Sequence, residues 1–498
     1  MLVHKINFKH AALVAALSIT AFTPAIAETE QVTVKWQQLL PAFWDPVRST
    51  CGCDIEKTSL VYDSLTRPDN TGKAVPSLAT GWKYNADGTE VTFTLRQGVK
   101  FSDGTSLDAA AVVKHFERTK NASYSTLASQ LATVKSVTAD GADKVVFHLN
   151  RTDYSIPSLI SARVGLIESP TADPESLSTR PVGSGPYILT QNVAGSRVVL
   201  KKNPDYWDAN SYKITDFVIS APGNNATVVS SLASGAIDVA EIGADQIDAA
   251  KAAGLEVQVI PTQNQQFYNV NVRNGVLKDP KVLEAVRIGI DRQAYVDSVL
   301  GGGGEPNVQP FPKGYVGYDP GLEKQWPYDP EKAKALLAEA GYKPGDLSMV
   351  ISSKATIPGA AEFLQGSLKT IGINSTIKTV VNWQQETYLR QNHEIIGDGH
   401  VGRESPILLL DALYGKNGLL NGSRAATPEF EVALDAVRST PEDAPSYPEV
   451  LQKATRIGTL SGSDIIVVSK PRIIARNADL TPLPASLFTY RWEQVGRK

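Results

Sequence analysis

The chain has 498 residues, 42% of them hydrophobic and 20% charged, with a formal net charge of −3. This composition is that of a globular protein, and the length exceeds what one hydrophobic core supports, so we expect two or more lobes. The weak negative charge gives no reason to expect nucleic acid or an anionic membrane as partner, which favours a small molecule.

The N-terminus has the pattern of a cleaved secretory signal peptide. Lys5 and Lys9 precede an apolar run over residues 11–22, and residues 25–27 supply the small-x-small pattern of a cleavage site. We therefore predict a signal peptide over residues 1–27 and a periplasmic mature protein with a net charge of about −5. No later stretch of the sequence reaches the roughly 20 apolar residues that a membrane span needs.

The only two cysteines, Cys51 and Cys53, are separated by one glycine. A disulfide across so short a ring is strained, so a bridge and two free thiols are both compatible with the sequence. A metal site built on this pair would need further soft ligands, and the chain has no third cysteine.

Hydrophobic patterning predicts the next elements. Alternating polar and apolar residues indicate strands over 90–96, 144–150 and 196–202. Between the first two strands, an alanine-rich segment that ends at Lys120 predicts a helix, and Ser106 or Asp108 is its expected N-cap. The strand-helix-strand alternation favours an α/β fold.

Two later helices are indicated by Asp-Pro pairs, because proline suits the first turn of a helix. One is predicted to begin at Pro280, and the other to run from Glu331 to Ala340 and end at Gly341. Residues 301–304 are all glycine, but no Lys-Ser or Lys-Thr follows them, so we do not expect a phosphate-binding loop.

Several longer motifs occur in order along most of the chain. They are Tyr62-Asp-Ser-Leu-Thr-Arg67, Val75-Pro-Ser-Leu-Ala79, Phe93-Thr-Leu-Arg-Gln-Gly-Val-Lys-Phe-Ser-Asp-Gly-Thr105, Gly183-Ser-Gly-Pro-Tyr187, Asn203-Pro-Asp-Tyr-Trp207, Ser234-Gly-Ala-Ile-Asp238, Val286-Arg-Ile-Gly-Ile-Asp-Arg292 and Tyr328-Asp-Pro-Glu-Lys-Ala333. Together these motifs resemble family 5 of the bacterial extracellular solute-binding proteins, the peptide, nickel and opine receptors of ABC importers.

The resemblance implies an α/β, two-lobed periplasmic binding protein of the class II-like type, with an extra subdomain in lobe one and the ligand cleft between the lobes. Lobe one would cover residues 28–262, with the inserted subdomain at about 59–181. Lobe two would cover 263–471, and residues 472–498 would return to lobe one. We expect the crossings near 261–265 and 470–472, and closure of the lobes on ligand.

One loop departs from the pattern of peptide-binding relatives, in which an Asp holds the α-amino group of the peptide. Aligned on Pro406, that Asp falls at Gly402 or Arg403, so the carboxylate is missing or displaced to Glu404. An arginine here favours a carboxylate or phosphate, which its planar fork engages with two hydrogen bonds. The alternative is that Arg403 faces solvent or pairs with Glu404.

Arg163 is a lone cation in an otherwise apolar run, and a buried cation needs an anion. Some relatives place an anion-binding arginine near this point, so ligand contact is one reading of Arg163. A salt bridge within the protein, to Asp153, Glu168 or Asp173, is the other.

The remaining candidates are large or polar residues that line the cleft in one reading and pack in the core in the other. The resemblance places Trp44 and Arg48 on an N-terminal loop that faces the cleft, and Tyr268 and Asn269 after the first crossing. These candidates are Trp44, Arg48, Tyr268, Asn269, Trp383 and Tyr388.

The segment 393–400 contains two histidines but lacks the His-Glu-x-x-His spacing of a zinc site, and Gly397 and Gly399 indicate a loop. We predict no metal, no cofactor and no catalytic residue, since no Gly-x-Ser-x-Gly motif is present either.

We therefore predict a monomeric, non-catalytic substrate-binding protein of an ABC importer. It would bind a short peptide or an anionic amino-acid or sugar conjugate and deliver it to the inner-membrane permease. The alternatives are a nickel-complex receptor, a binding protein that serves a chemoreceptor, and a secreted hydrolase.

Overall fold

A seven-stranded and a six-stranded mixed β-sheet organise the chain, together with a four-stranded antiparallel sheet and a two-stranded ribbon. In this computed structural model the described residues are 31–35, 44–49, 54–161, 163–193, 195–220, 227–354, 357–381, 386–387, 392–400, 402–403 and 405–498. Their strands are β1 (Gln31–Lys35), β2 (Thr66–Pro68), β3 (Ala74–Pro76), β4 (Ala79–Tyr84), β5 (Glu90–Leu95), β6 (Val134–Asp140), β7 (Lys144–Leu149), β8 (Tyr187–Val193), β9 (Arg197–Lys202), β10 (Asp216–Ser220), β11 (Val239–Glu241), β12 (Glu256–Ile260), β13 (Gln265–Val270), β14 (Glu305–Pro306), β15 (Ser348–Ser353), β16 (Asn374–Thr379), β17 (Ile395–His400), β18 (Ile465–Ser469) and β19 (Arg472–Arg476).

The helices of the described residues alternate with these strands. They are α1 (Ile55–Thr58), α2 (Ala109–Asn121), α3 (Ile156–Leu159), α4 (Val228–Ala233), α5 (Ile247–Ala252), α6 (Pro280–Ile288), α7 (Arg292–Val299), α8 (Pro330–Glu339), α9 (Ala360–Thr370), α10 (Pro406–Tyr414), α11 (Pro428–Arg438) and α12 (Tyr447–Ser461). Among the residues in these helices, no segment combines the length and the apolar character needed to cross a membrane.

The seven-stranded sheet has the strand order β12-β19-β11-β1-β10-β9-β8. β1 lies in its middle and pairs in parallel with both β10 and β11. Val32 and Val34 of this strand are buried in a core that includes Trp44 and Tyr62. Since β1 comes early in the chain and β19 near its end, this sheet joins segments that are far apart in sequence.

The six-stranded sheet has the order β14-β18-β13-β17-β15-β16. The chain reaches it from β12 through residues 261–264 and leaves it for β19 through residues 470–471. These two crossings are hydrogen-bonded side by side: Thr262 Oγ1 donates to the carbonyl of Lys470 at 2.7 Å, and the Lys470 N–H donates to the carbonyl of Asn264 at 2.8 Å. We call the part from β13 to β18 the second lobe and the rest the first lobe.

The four-stranded sheet, in the order β4-β5-β7-β6, forms a unit of its own within the first lobe. Helix α2 packs on it, with Phe116 against Phe147 at a ring-centroid distance of 4.8 Å and Phe147 against Phe93 at 5.3 Å. Phe93, Phe116 and Phe147 are almost fully buried, so this unit has its own hydrophobic core.

The elements predicted from hydrophobic patterning are confirmed to within one or two residues. Asp108 is the N-cap of α2, and its side chain accepts the N–H of Ala111 at 2.8 Å. Asp279 and Asp329 cap α6 and α8 in the same way, one residue before the predicted prolines. A carboxylate at the N-cap satisfies an N–H group that has no partner inside the helix, and proline suits the first turn, so these boundaries could be predicted from local sequence.

The prediction of a loop over 393–400 is wrong, because residues 395–400 form β17 in the six-stranded sheet. Its two glycines lie where neighbouring elements pack closely, and neither is part of a turn. A Cβ on Gly397 would lie 3.0 Å from Cβ of Ala360 in α9, and a Cβ on Gly399 would lie 3.0 Å from the carbonyl oxygen of Gln265. Glycine lets neighbouring elements approach the strand closely.

Candidate functional site

A cleft of about 600 Å³ lies between the two lobes. Ser49, Asp153 and Arg163 of the first lobe line one wall, and Arg403 and Ser405, just before α10, line the other. Its volume falls in the range of about 300–1,000 Å³ that is typical of small-molecule sites. The cleft therefore brings together Arg163 and Arg403, the two arginines that the sequence predicts as ligand contacts.

The charge of the cleft lining is positive among the described residues. Arg438 pairs with Asp411 of the same wall at 3.5 Å, and Arg151 of the first lobe pairs with Asp435 of α11, an exposed residue outside the lining, at 2.8 Å. Basic lining residues outnumber acidic ones by five to three: Arg151, Arg163, Arg403, Lys416 and Arg438 against Asp153, Asp411 and Glu431. Such a lining favours a ligand that carries negative charge.

Arg163 lies on a short 3-10 turn, Arg163–Gly165, and only 8% of it is exposed. Its Nη1 donates to the carbonyl oxygen of Ser49 at 3.2 Å and to the Ser49 hydroxyl at 3.4 Å. Two of the carboxylates considered as internal partners have other contacts. Asp153 accepts from the Ser155 hydroxyl at 2.5 Å, and Glu168 is held by His115 and Arg118.

A buried ionic network holds the first wall in place. Arg118 bridges Asp45 at 2.5 Å and Glu168 at 2.9 Å, and Glu168 also contacts Nδ1 of His115 at 2.5 Å. Burial alone would raise the pKa of Glu168, but His115 and Arg118 outweigh it and hold that pKa below its usual range. The network holds Asp45, which precedes Ser49 in the chain, and Glu168, which follows Arg163.

The second wall is fixed by side chains of the first crossing. The N–H of Arg403 donates to Oε1 of Gln263 at 2.8 Å, and the N–H of Gly402 donates to Oδ1 of Asn264 at 3.0 Å. Arg403 itself is half-buried. The loop that carries this arginine is therefore attached to the segment that joins the lobes.

The two walls also contact each other beside the cleft. The Ser158 hydroxyl donates to the Ser405 hydroxyl at 3.3 Å, and the Tyr154 N–H donates to the carbonyl of Arg438 at 2.7 Å. Leu408 of α10 packs against the core of the four-stranded unit. These contacts hold the lobes together on one side of the cleft.

Four of the predicted contact residues are not among the described residues that line the cleft. Trp44 is fully buried in the core of the first lobe. Tyr268 is buried in the second lobe and donates to the carbonyl of Ala360 at 2.7 Å. Asn269 is fully buried and donates to Asp464 at 2.9 Å. For these three the structure agrees with the core-packing reading.

Arg48, the fourth of these residues, lies beside the ionic network of the first wall. It pairs with Asp45 at 3.4 Å and with the exposed Glu175 at 3.4 Å, and its guanidinium stacks over the ring of Tyr124 at 4.1 Å. Glu404, Trp383 and Tyr388 lie outside the described residues, as do Cys51, Cys53 and the predicted signal peptide over 1–27.

Several cleft residues could not be identified from the sequence. Arg438 is the last residue of α11, and Lys416 follows α10. In sequence both look like ordinary solvated residues near a helix end, where basic side chains are common. Their place in the lining depends on how the helices of the second lobe face the first lobe, which no local pattern specifies.

His393, the first histidine of segment 393–400, is a packing residue. His393 is buried, and its Nε2 donates to Oδ1 of Asn269 at 2.7 Å, since an amide oxygen can only accept. Burial lowers the pKa of His393 to about 4, so this side chain is neutral at neutral pH. In the part of the chain that the structure describes, no cluster of three or more His, Cys, Asp or Glu side chains forms a metal site.

Comparison with known proteins places this geometry in context. Glutathione-binding protein GsiB of Salmonella paratyphi A is 31% identical over 375 residues, which cover 74% of this chain and 72% of the relative. Di/tripeptide-binding protein 3 of Pseudomonas aeruginosa is 28% identical over 71% of this chain and 72% of its own length.

Solved structures share the fold. The ABC transporter-associated periplasmic binding protein DppA from Helicobacter pylori, in complex with peptide STSA, superimposes with a TM-score of 0.83 at 22% identity and covers 94% of this chain and 98% of its own. NikA from Staphylococcus aureus, in complex with Ni(L-His)2, gives 0.80 at 18% identity, covering 94% and 100%. These likenesses confirm the predicted two-lobed α/β fold.

A family model agrees with both comparisons. The model of the bacterial extracellular solute-binding proteins, family 5 (middle), matches residues 73–418, which include the four-stranded unit, most of the residues that line the cleft and most of the second lobe. This chain therefore belongs to family 5 of the bacterial extracellular solute-binding proteins.

Proposed function

We propose that this protein is the periplasmic receptor of an ABC importer and that it binds, without chemical turnover, a short peptide with an additional carboxylate. The main support is the convergence of Arg163 and Arg403 from opposite walls on one positively lined cleft. An arginine engages a carboxylate through two parallel hydrogen bonds, and such charge-assisted bonds are strong where water is excluded.

Glutathione is the first ligand to test. It is a tripeptide with two carboxylates, and the relative from Salmonella paratyphi A is named for binding it. One carboxylate on each arginine would place the ligand across the cleft and join the two lobes. Such a ligand stabilises the closed form because it makes its full set of contacts only there.

We further propose that the lobes move about the paired crossings at 261–264 and 470–471. On this proposal the first lobe covers residues 28–262, with a subdomain at about 59–181, and residues 472–498 return to it after the second lobe. The crossings are short and bonded to each other through Thr262, Asn264 and Lys470, an arrangement suited to a hinge. A monomer released after removal of residues 1–27 would then present the closed form to the inner-membrane permease.

The test is the melting temperature of the mature protein, refolded to remove any carried ligand. Glutathione at about a hundred times its dissociation constant should stabilise the folded state by about 2.7 kcal/mol. Replacing Arg403 or Arg163 by alanine should weaken binding by roughly 10- to 100-fold, because each removes a charge-assisted hydrogen bond worth about 1.5–3 kcal/mol. Arg197→Ala, at the exposed first residue of β9, is the matched control and should leave the shift unchanged.

The ligand panel separates the alternatives. A neutral tripeptide such as triglycine should give a much smaller shift than glutathione, since it lacks the second carboxylate. Equal shifts with both peptides, or full binding by Arg403→Ala, would refute the proposed role of the cleft arginines. A shift with a nickel-histidine complex alone would identify the protein as a nickel-complex receptor.

A further inference from the structure

The loop that carries Arg403 follows the last residue of β17, His400, and the N–H groups of its next described residues donate to side chains. The N–H groups of Gly402 and Arg403 donate to the amide oxygens of Asn264 and Gln263, at 3.0 and 2.8 Å. Both acceptors lie on the first crossing, four residues or fewer after the end of β12.

The packing at Gly402 is close. A Cβ at this position would lie 2.6 Å from Cβ of Gln263, a distance that real Cβ atoms do not show. The φ angle of Gly402 is not in the left-handed region, so the backbone there would accept another residue. Glycine is required at 402 because the crossing lies against the loop, and any side chain would push the two apart.

Gln263 and Asn264 also connect this loop to the rest of the hinge region. Gln263 is fully buried, and its N–H donates to the carbonyl of Leu487 in the C-terminal segment at 2.9 Å. The carbonyl of Asn264 accepts the N–H of Lys470 from the second crossing at 2.8 Å. The backbone of Gln263 thus bonds to the first lobe, and the backbone of Asn264 bonds to the second crossing. The side chains of both residues bond to the loop that carries Arg403.

We infer that Gln263 and Asn264 are positioning residues, whose side-chain oxygens fix the ligand-binding loop of Arg403 to the paired crossings. When the lobes rotate, the loop then moves with the crossing and brings Arg403 to the opposite wall. This inference rests on the proposed function for its effect on ligand affinity, but the attachment of the loop can be measured without any ligand.

The first measurement is hydrogen-deuterium exchange of the ligand-free protein over a peptide that contains residues 402 and 403. An amide that donates a hydrogen bond exchanges slowly, so Asn264→Leu should raise exchange in this peptide by about tenfold. Asn264→Asp keeps an acceptor oxygen in the same place and should retain the protection. Unchanged exchange in Asn264→Leu would overturn the inference, whatever the ligand proves to be.

The second measurement is the affinity for glutathione. Gly402→Ala should weaken binding by about tenfold, equivalent to the loss of one well-placed hydrogen bond. Gly366→Ala is the matched control, because Gly366 lies in α9 with open space around its Cβ position. Wild-type affinity in Gly402→Ala would also overturn the inference, whereas no glutathione binding by the wild type together with altered exchange would reject only the proposed ligand.

Discussion

Replacing Arg118 by methionine should lower the free energy of unfolding by about 3–5 kcal/mol, because removal of one partner leaves buried charges uncompensated. The side chains of Asp45 and Glu168, which Arg118 bridges, are 0% and 6% exposed. Methionine fills much of the same volume, so loss of charge and not loss of packing dominates. Chemical denaturation at pH 7, followed by circular dichroism, measures the effect.

The pH dependence of the stability loss in Arg118→Met gives an independent check that uncompensated buried charge causes this loss. The folded protein holds the pKa of Glu168 below its ordinary value of 4.5, so this carboxylate contributes stability above pH 4.5 that is lost as the pH falls further. The difference between wild type and Arg118→Met should therefore shrink from pH 5 to about pH 3.

Arg48→Met is the matched control, since Arg48 contacts the same Asp45. Its side chain is 28% exposed, and its two ion pairs are both 3.4 Å long. Exposed ion pairs contribute about 0–1 kcal/mol, so we expect a change of that size. Equal destabilisation by Arg48→Met and Arg118→Met would show that the buried network does not have the role we assign to it.

The sequence was a good guide where a local interaction decides the structure. The helix start at Asp108 was predicted from N-capping and those at Pro280 and Pro330 from proline in the first turn, and both signals involve only residues a few positions apart. Arg163 was singled out because a cation in an apolar run is costly unless something compensates it; the structure places this residue in the cleft lining, and its contact with a ligand stays a prediction.

The sequence was a poor guide where the answer depends on packing between distant segments. Gly397 and Gly399 indicated a loop, yet they lie in a strand because α9 and β13 approach it closely. Trp44 and Tyr268 are as suitable for lining a cleft as for filling a core, and only the arrangement of the sheets places them inside. The attachment of Gly402 to Gln263, 139 positions earlier in the chain, has no local signal.

The wild-type protein should lose stability relative to Glu442→Gln as the pH rises from 5 to 8. Glu442 lies between α11 and α12 of the second lobe, where it faces Ser158 and the backbone of Ala74 in the first lobe. Burial raises the pKa of Glu442 to about 7, while nearby Lys73 lowers it and Asp153 raises it. Tyr84 and Tyr447 also face this carboxyl group.

The sign follows from the raised pKa. The neutral carboxyl group fits between the lobes, so its contribution is fully present below pH 4.5, its ordinary pKa, and is lost as the pH rises through about 7. Because a charged carboxylate is costlier than a neutral one to hold between the lobes, we expect closure on ligand to weaken over the same pH range. We expect the affinity for glutathione to fall by about tenfold between pH 5 and pH 8, less than the full pKa shift would give, since opening undoes only part of the burial.

Glutamine has the shape of the neutral acid and cannot ionise, so Glu442→Gln should hold both the melting temperature and the affinity nearly constant across this range. Asp443→Asn is the matched control, because Asp443 is adjacent but exposed, and it should keep the pH dependence of the wild type. Other buried groups titrate in the same pH range, including Asp63 with a pKa of about 6. They contribute equally to the pH dependence of the wild type and of the variant. A parallel pH dependence in wild type and Glu442→Gln would therefore exclude Glu442 as the group that couples lobe closure to pH, and the buried contact beside Ser158 would be a site of packing alone.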